Sequence, residues 1–302
     1  MAGFSATDAA LEGFRITKER PRKLLAASVF VFLVSVLGVF IEVNMPPEAH
    51  AALAALSGQE TLESGPLFEA LTILSPLLLF GLLVQCMMAA AIYRVLLRGE
   101  TGSIRLFRIG GDEIRLMALA LIYVVLFIFL MAAAVLFAVL AATLSSPLGQ
   151  GAMVFTGTIA WVFALGVIVW VGVRMSLAPV ITFERRKLAI LDSWPITRGQ
   201  FWRLTGAYIL ALSCIVVVAL LALMVFLPVA GIVVVASGGS LAEVAEIVQP
   251  TEPTLSAYFH PLRVAYMVLS SLFNALWYAV IAAPGAYAYR ALTAGAPAPA
   301  AS

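Results

Sequence analysis

The sequence holds little with which to do acid–base or metal chemistry. Two histidines, His50 and His260, are all that 302 residues contain, and neither has a sequence neighbour that would complete a metal pair or a general base. Two cysteines, Cys86 and Cys214, lie inside apolar runs with no spacing partner. They form neither a disulfide framework nor a thiolate site, and small buried apolar residues is the expectation for both. No P-loop, Gly-x-Ser-x-Gly, His-Glu-x-x-His or dinucleotide fingerprint is present; the pairs Gly110-Gly111 and Gly238-Gly239 end or join helices. These absences argue against an enzyme, and no metal, cofactor or nucleic-acid partner is expected.

Charge is scarce as well. Only 11% of residues are charged and 63% are hydrophobic, against roughly a quarter charged in an average soluble domain. No polar span is long enough to fold by itself, so the chain reads as one integral membrane domain. Six apolar runs, residues 24–43, 67–97, 114–143, 151–180, 201–236 and 262–290, are each long enough to cross a bilayer as a helix. Ala49-His50-Ala51 resembles a signal cleavage site, but the run before it has spanning length and follows more than twenty largely polar residues, so it reads as uncleaved.

The expected fold is therefore an all-α integral membrane bundle of six transmembrane helices, arranged as three hairpins with amphipathic interfacial helices. Residues 1–23 are expected to form an interfacial helix that offers Leu11, Phe14 and Ile16 to one side, residues 24–290 the membrane domain, and residues 291–302 a disordered tail. The short turn LSSPLGQ makes the third and fourth crossings an antiparallel pair. Ser103 to Arg108 reads as a short surface helix. Ser5 with Asp8 and Ser240 with Glu243 have N-capping spacing, and Asp112-Glu113 sits where carboxylates cap the third crossing.

The placement of positive charge sets the orientation. Arg263 alone among 18 Lys and Arg lies on one side; the other seventeen fall in the N-terminal segment, the two basic connectors and the C-terminal end. Cytoplasmic loops carry the Lys and Arg excess, so those segments and both termini are expected inside. The first external loop carries Glu48, Glu60 and Glu63, with Glu42 and Glu69 beside it.

The connector Phe183 to Leu204, FERRKLAILDSWPITRGQFWRL, reads as an amphipathic strip along the inner membrane surface. Thr197 and Gln200 have capping-box spacing for a helix that restarts near Arg198, after Pro195. The residues expected to engage anionic lipid, a membrane-protein partner or a second copy of the chain are Lys18, Arg20, Arg22, Lys23, Arg174, Arg185, Arg186, Lys187, Trp194, Arg198 and Arg203. Each basic residue near an anionic surface contributes about 1 kcal/mol. Arg174, a few residues inside the fourth crossing, calls for Asp192, Glu184 or a lipid phosphate.

An alternative reading is a transporter or channel for a lipid-like or small amphipathic solute. It would use the polar groups at mid-depth, chiefly Gln85 and Asn274, and the helix breaks at Pro76, Pro179, Pro228 and Pro284. An internal duplication is also visible: LEGFRITKERPRKL (11–24) aligns without gaps on LDSWPITRGQFWRL (191–204), an offset of 180 residues.

The order Arg174-x-Ser176-Leu177-Ala178-x-Val180, then Leu191-x-Ser193-Trp194-x-x-Thr197-Arg198-Gly199-x-Phe201-x-Arg203, resembles the membrane domain associated with bacterial glycerophosphodiester phosphodiesterases. Related stand-alone six-helix inner-membrane proteins of unknown function share it. The resemblance implies six-helix architecture in a bacterial inner membrane. It does not imply the phosphodiesterase activity, which belongs to a separate soluble barrel for which this sequence has no span.

The orientation is open to direct measurement. A cysteine in place of Lys187 should react with a membrane-impermeant maleimide only when the inner face of the membrane is exposed; reaction from the outer face would reverse the assignment.

Overall fold

The structure, a computed structural model, describes residues 4–56, 64–100, 106–248 and 254–293. Its elements are helices, with no strand among the described residues: α1 Ala6–Glu19, α2 Pro21–Val43, α3 Pro47–Leu56, α4 Ser64–Leu97, α5 Gly111–Leu144, α6 Gln150–Met175, α7 Ala178–Arg185, α8 Ser193–Ile196, α9 Phe201–Ala236, α10 Leu241–Val248, α11 Leu255–Tyr258 and α12 Pro261–Thr293. Six spans, carried by α2, α4, α5, α6 with α7, α9 and α12, are long and apolar enough to cross a membrane. The protein is a multi-pass, all-helical membrane protein. Residues 101–105, which include the first half of the expected surface helix, lie outside the described residues, as do 294–302 of the expected tail; residues 291–293 continue α12.

Local chemistry starts and stops the helices. Ser5 Oγ accepts from Asp8 N at 3.3 Å and caps α1. Pro21 cannot donate to a preceding turn, so it opens α2 as a separate helix. Gly110 N donates to Glu113 Oε2 at 2.9 Å at the start of α5, and Ser240 N donates to Glu243 Oε1 at 3.0 Å ahead of α10. Gly149, at φ +102°, turns the chain between α5 and α6, where Ser145 and Thr156 share a 2.5 Å hydroxyl contact.

The last long helix is the hub. α12 packs against α1, α2, α4 and α9, while α5 and α6 pair mainly with each other. Ser271, Ala275, Ala279 and Ala283 recur every fourth residue and are all buried, a stripe of small side chains that lets neighbouring backbones approach. Mean hydropathy agrees: 1.7 for α12, against 3.1 for both α5 and α9. A helix surrounded by protein does not need the lipid-like side chains that an outer helix presents. α2 lies chiefly along α12, and its Val31 shares a buried cluster with Met88 of α4 and Ala275 of α12.

The N-terminal helix departs from expectation. Ala9, Ala10 and Gly13 form its buried face, whereas Leu11 is exposed and Phe14 and Ile16 are only partly covered. The reason is distance, because α1 runs so close to α12 that a Cβ on Gly13 would lie 2.6 Å from Val280 Cα.

The connector is corrected too. Instead of a continuous surface strip, α7 ends at Arg186, a left-handed residue at φ 54°. The chain then folds through the single turn α8 back onto the break between α6 and α7. Ser193 Oγ donates to Arg174 O at 2.6 Å and accepts from Leu177 N at 3.3 Å, occupying two of the backbone groups which that break leaves free. Thr197 and Gln200 form no capping box: the Thr197 hydroxyl donates to Ser193 O at 2.9 Å, and α9 starts at Phe201 with no side-chain cap. Buried backbone acceptors at the kink outcompete the amides of the next helix.

At the 180-residue offset, α2 begins at Pro21 and α9 at Phe201, and Thr17 and Thr197 each donate to the carbonyl of an aromatic residue three positions back. The preceding segments differ, since α1 is a full helix and α8 one turn.

Gly13→Ala should destabilise the protein by about 1–3 kcal/mol, the usual range for overpacking against a neighbour that cannot move aside, and Gly13→Leu by more. Thermal unfolding of the detergent-solubilised protein is the measurement.

Candidate functional site

The positively charged residues divide into those that hold the fold together and those left free. At the basic end, where α4, α5, α7 and α9 meet, Arg94 is 1% exposed and Glu113 0%. The two form a buried ion pair, and Arg94 Nη1 also donates to Leu106 O at 2.5 Å. One helical turn along α4, Arg98 pairs with Asp112 at 2.8 Å, donates to Phe183 O at 3.1 Å and stacks 4.2 Å from the Phe183 ring. Arg115 takes the other oxygen of Asp112 at 3.0 Å. Phe183 in turn contacts the ring of Tyr93. The network ties α4, α5 and α7 into one closed floor.

Sequence reasoning assigned Asp112 and Glu113 to capping and gave Arg94 and Arg98 no part. Gly110 does use Glu113 as a cap, so one carboxylate serves both purposes. A signal was available: Arg94 and Arg98 lie one turn apart at the end of a crossing, and a short connector brings the acidic pair at the start of the next crossing opposite them.

Arg174 meets neither expected carboxylate. Asp192 is taken by Arg185 at 3.2 Å. The Arg174 guanidinium instead lies 5.5 Å from the ring centroids of both Trp170 and Trp194, which meet edge to face, and it donates to Trp194 O at 3.2 Å. Aromatic faces and a carbonyl can serve a cation inside a bundle where no acid is placed. Arg20 donates to Val95 O at 3.4 Å and Lys23 to Glu100 O at 2.5 Å, so both pin the α1–α2 junction to the end of α4. Lys18, Arg22, Arg186, Lys187, Arg198 and Arg203 are exposed and form no ion pair or hydrogen bond with another described side chain. Of the residues expected to engage lipid or a partner, these six remain free to do so.

Above the floor a half-open pocket of about 460 Å³ lies where α4, α5, the α6–α7 break, α9 and α12 converge. It lies roughly 8 to 18 Å along α5 from that helix's first residue, at 1.5 Å rise per residue. Its lining is apolar, with Cys86, Ala89, Leu116, Ala120 and Ala282 among the residues that form it, and none of the lining residues is charged. The polar residues in the lining are Tyr93, Tyr123, Ser176, Tyr208, Tyr278 and Gln85. Tyr123 donates to Met175 O at 3.3 Å, a carbonyl at the end of α6.

Gly285 makes room for this arrangement, because a Cβ there would come within 3.0 Å of Tyr208 Oη. Gln85, expected as an intramembrane polar site, is exposed at the rim, while Cys86 and Tyr93 are buried. Asn274 does not line the pocket: it is exposed and donates to Ser270 O within its own helix at 2.8 Å. The tyrosines were legible as residues but not as a group, since they come from four helices.

Among the described residues no three His, Cys, Asp or Glu side chains gather to hold a metal ion. Compared with protein-family models, with curated proteins and with solved structures, the chain matches none.

The floor should be sensitive to loss of one partner and tolerant of losing both. Glu113→Gln is expected to cost about 3–5 kcal/mol, because it leaves a guanidinium buried without its counter-charge, whereas the pair Arg94→Met with Glu113→Leu should recover most of that loss. Unfolding of the three variants in detergent measures the difference.

Proposed function

We propose that the protein is a non-enzymatic membrane protein that holds an amphipathic, lipid-like solute in the pocket between α4, α5, α6, α9 and α12. The pocket itself carries this reading. Its volume falls in the range of small-molecule sites, and a mostly apolar wall with a few fixed hydroxyls matches a molecule that is largely hydrocarbon with one polar group. The packed floor below it favours a binding site reached from within the bilayer over a pore, since Arg94–Glu113 and the buried side chains around Leu177, Val180 and Phe183 fill the basic end.

A second reading concerns the basic end, which the excess of Lys and Arg favours for the cytoplasmic leaflet, in a membrane that the connector's resemblance implies is a bacterial inner membrane. Its six free cations suit anionic lipid or an acidic surface on a membrane-protein partner. The two readings are compatible, the first describing the interior and the second the surface. The resemblance in the connector fits both, as it concerns architecture and location.

One experiment separates them. A diazirine-bearing diacylglycerol in nanodiscs should crosslink to residues 82–93 and 116–123 more strongly than to the lipid-facing side of α9. Ala89→Phe with Ala120→Phe should fill the pocket and bring that labelling down to the α9 level. Equal labelling of pocket and α9, unchanged by filling, would refute the interior reading. Replacing Arg186, Lys187 and Arg198 by Gln should reduce co-purifying anionic lipid and leave pocket labelling intact.

A further inference from the structure

A second cavity, of about 320 Å³, lies at the end of the bundle opposite the basic floor, between the last turns of α2 and the first turns of α12. It holds two opposite charges that do not pair. Glu42 lies in the final turn of α2 and Arg263 in the first turn of α12. Arg263 forms no ion pair or hydrogen bond among the described residues; its Nε is buried without a partner. Its guanidinium is held instead between two rings, 5.6 Å from the centroid of Tyr258 and 5.4 Å from that of Tyr266. The Tyr258 hydroxyl faces the Glu42 carboxylate, and burial, with the carboxylate next, raises its pKa, so it stays protonated and donates.

A cation and an anion that share a partly buried cavity without meeting each lack the counter-charge that would offset their desolvation. A molecule carrying both charges supplies the two partners at once. We propose that this cavity binds the headgroup of a zwitterionic phospholipid of the ethanolamine type, its phosphate on Arg263 and its ammonium on Glu42.

Three features select that chemistry. Arg presents a fork of N–H donors that matches phosphate oxygens. The Tyr258 and Tyr266 faces are already occupied by Arg263, so the ammonium must be recognised through hydrogen bonds to Glu42, which an N–H-bearing ethanolamine can make and a quaternary choline cannot. Apart from Ser35 and Ser270, whose hydroxyls donate to carbonyls of their own helices, the rest of the wall is apolar, with Val39, Leu77 and Met267, and it adjoins the exposed Leu37, Phe40 and Ile41 of α2, so acyl chains can continue from the headgroup along the bundle. The site is separate from the interior pocket and does not depend on it.

The test uses the full-length protein in nanodiscs of equal parts phosphatidylethanolamine, phosphatidylglycerol and phosphatidylcholine, with retained lipid counted by native mass spectrometry. The wild type should retain phosphatidylethanolamine about tenfold over the other two, the scale of one charge-assisted hydrogen bond. Glu42→Gln should erase the preference for ethanolamine over glycerol headgroups, and Arg263→Gln should reduce retention of all three. If Arg263→Gln fails to fold, Glu42→Gln alone still decides the outcome. The pocket-filled variant, Ala89→Phe with Ala120→Phe, should keep the preference, so failure of the pocket reading and failure of this one are told apart. Soluble glycerophosphoethanolamine should displace the lipid only weakly; full displacement would support the same headgroup chemistry with a water-borne source. Retained lipid that mirrors the bulk composition, or a preference untouched by Glu42→Gln, would overturn the proposal.

Discussion

A guanidinium and a carboxylate that are both shut off from solvent must find each other, and around Arg94 and Glu113 the basic end of the bundle is arranged to make that possible. Either charge alone in so apolar a setting would be far costlier than any single packing defect. The pair therefore imposes geometry: α4 must end, the connector must turn, and α5 must begin within reach. Leu106 O takes a further donor from Arg94, while Arg98 carries the same logic to Asp112 and to the end of α7. A bilayer by itself would let these helices slide; the buried charges hold them in register.

The second constraint is how closely helices approach where lipid tails offer no hydrophobic contrast. Small side chains decide it. The buried Ser271, Ala275, Ala279 and Ala283 place α12 at the centre, and Gly13 lets α1 lie against it at a distance that even an alanine would disturb. Large apolar residues, by contrast, face outward on α5, α6 and α9, where lipid accommodates them. The interior pocket follows from both constraints. It remains where the α6–α7 break and the closed floor prevent five helices from meeting completely.

Charge is used differently at the two ends. At the basic end, arginines are spent on structure through carboxylates, carbonyls and aromatic rings, and a surplus of exposed cations is left over. At the opposite end one arginine is present, supported by two tyrosine rings and facing an acid it does not touch. The same residue type is thus a rivet in one place and an open binding group in the other, depending on whether a counter-charge lies within reach.

What the sequence by itself determined is what local pattern and the bilayer enforce. Six apolar runs of spanning length became six spans, because a backbone in hydrocarbon must satisfy its own hydrogen bonds within each helix; the cap at Ser5 formed because its partner is three residues away, and at the same spacing Ser240 meets Glu243 as a donor to its carboxylate and not as a side-chain cap. Gln85 was visible as a polar group at depth and does line the pocket, whereas Asn274, of the same kind, bonds within its own helix. Tertiary structure alone decided which arginines pair, why Thr197 serves a kink rather than a cap, why Gly13 and not Leu11 faces inward, and which tyrosines share a cavity. Those outcomes depend on groups distant in the chain and close in space, and the separations between helices that bring them together are set by packing, which no single segment encodes.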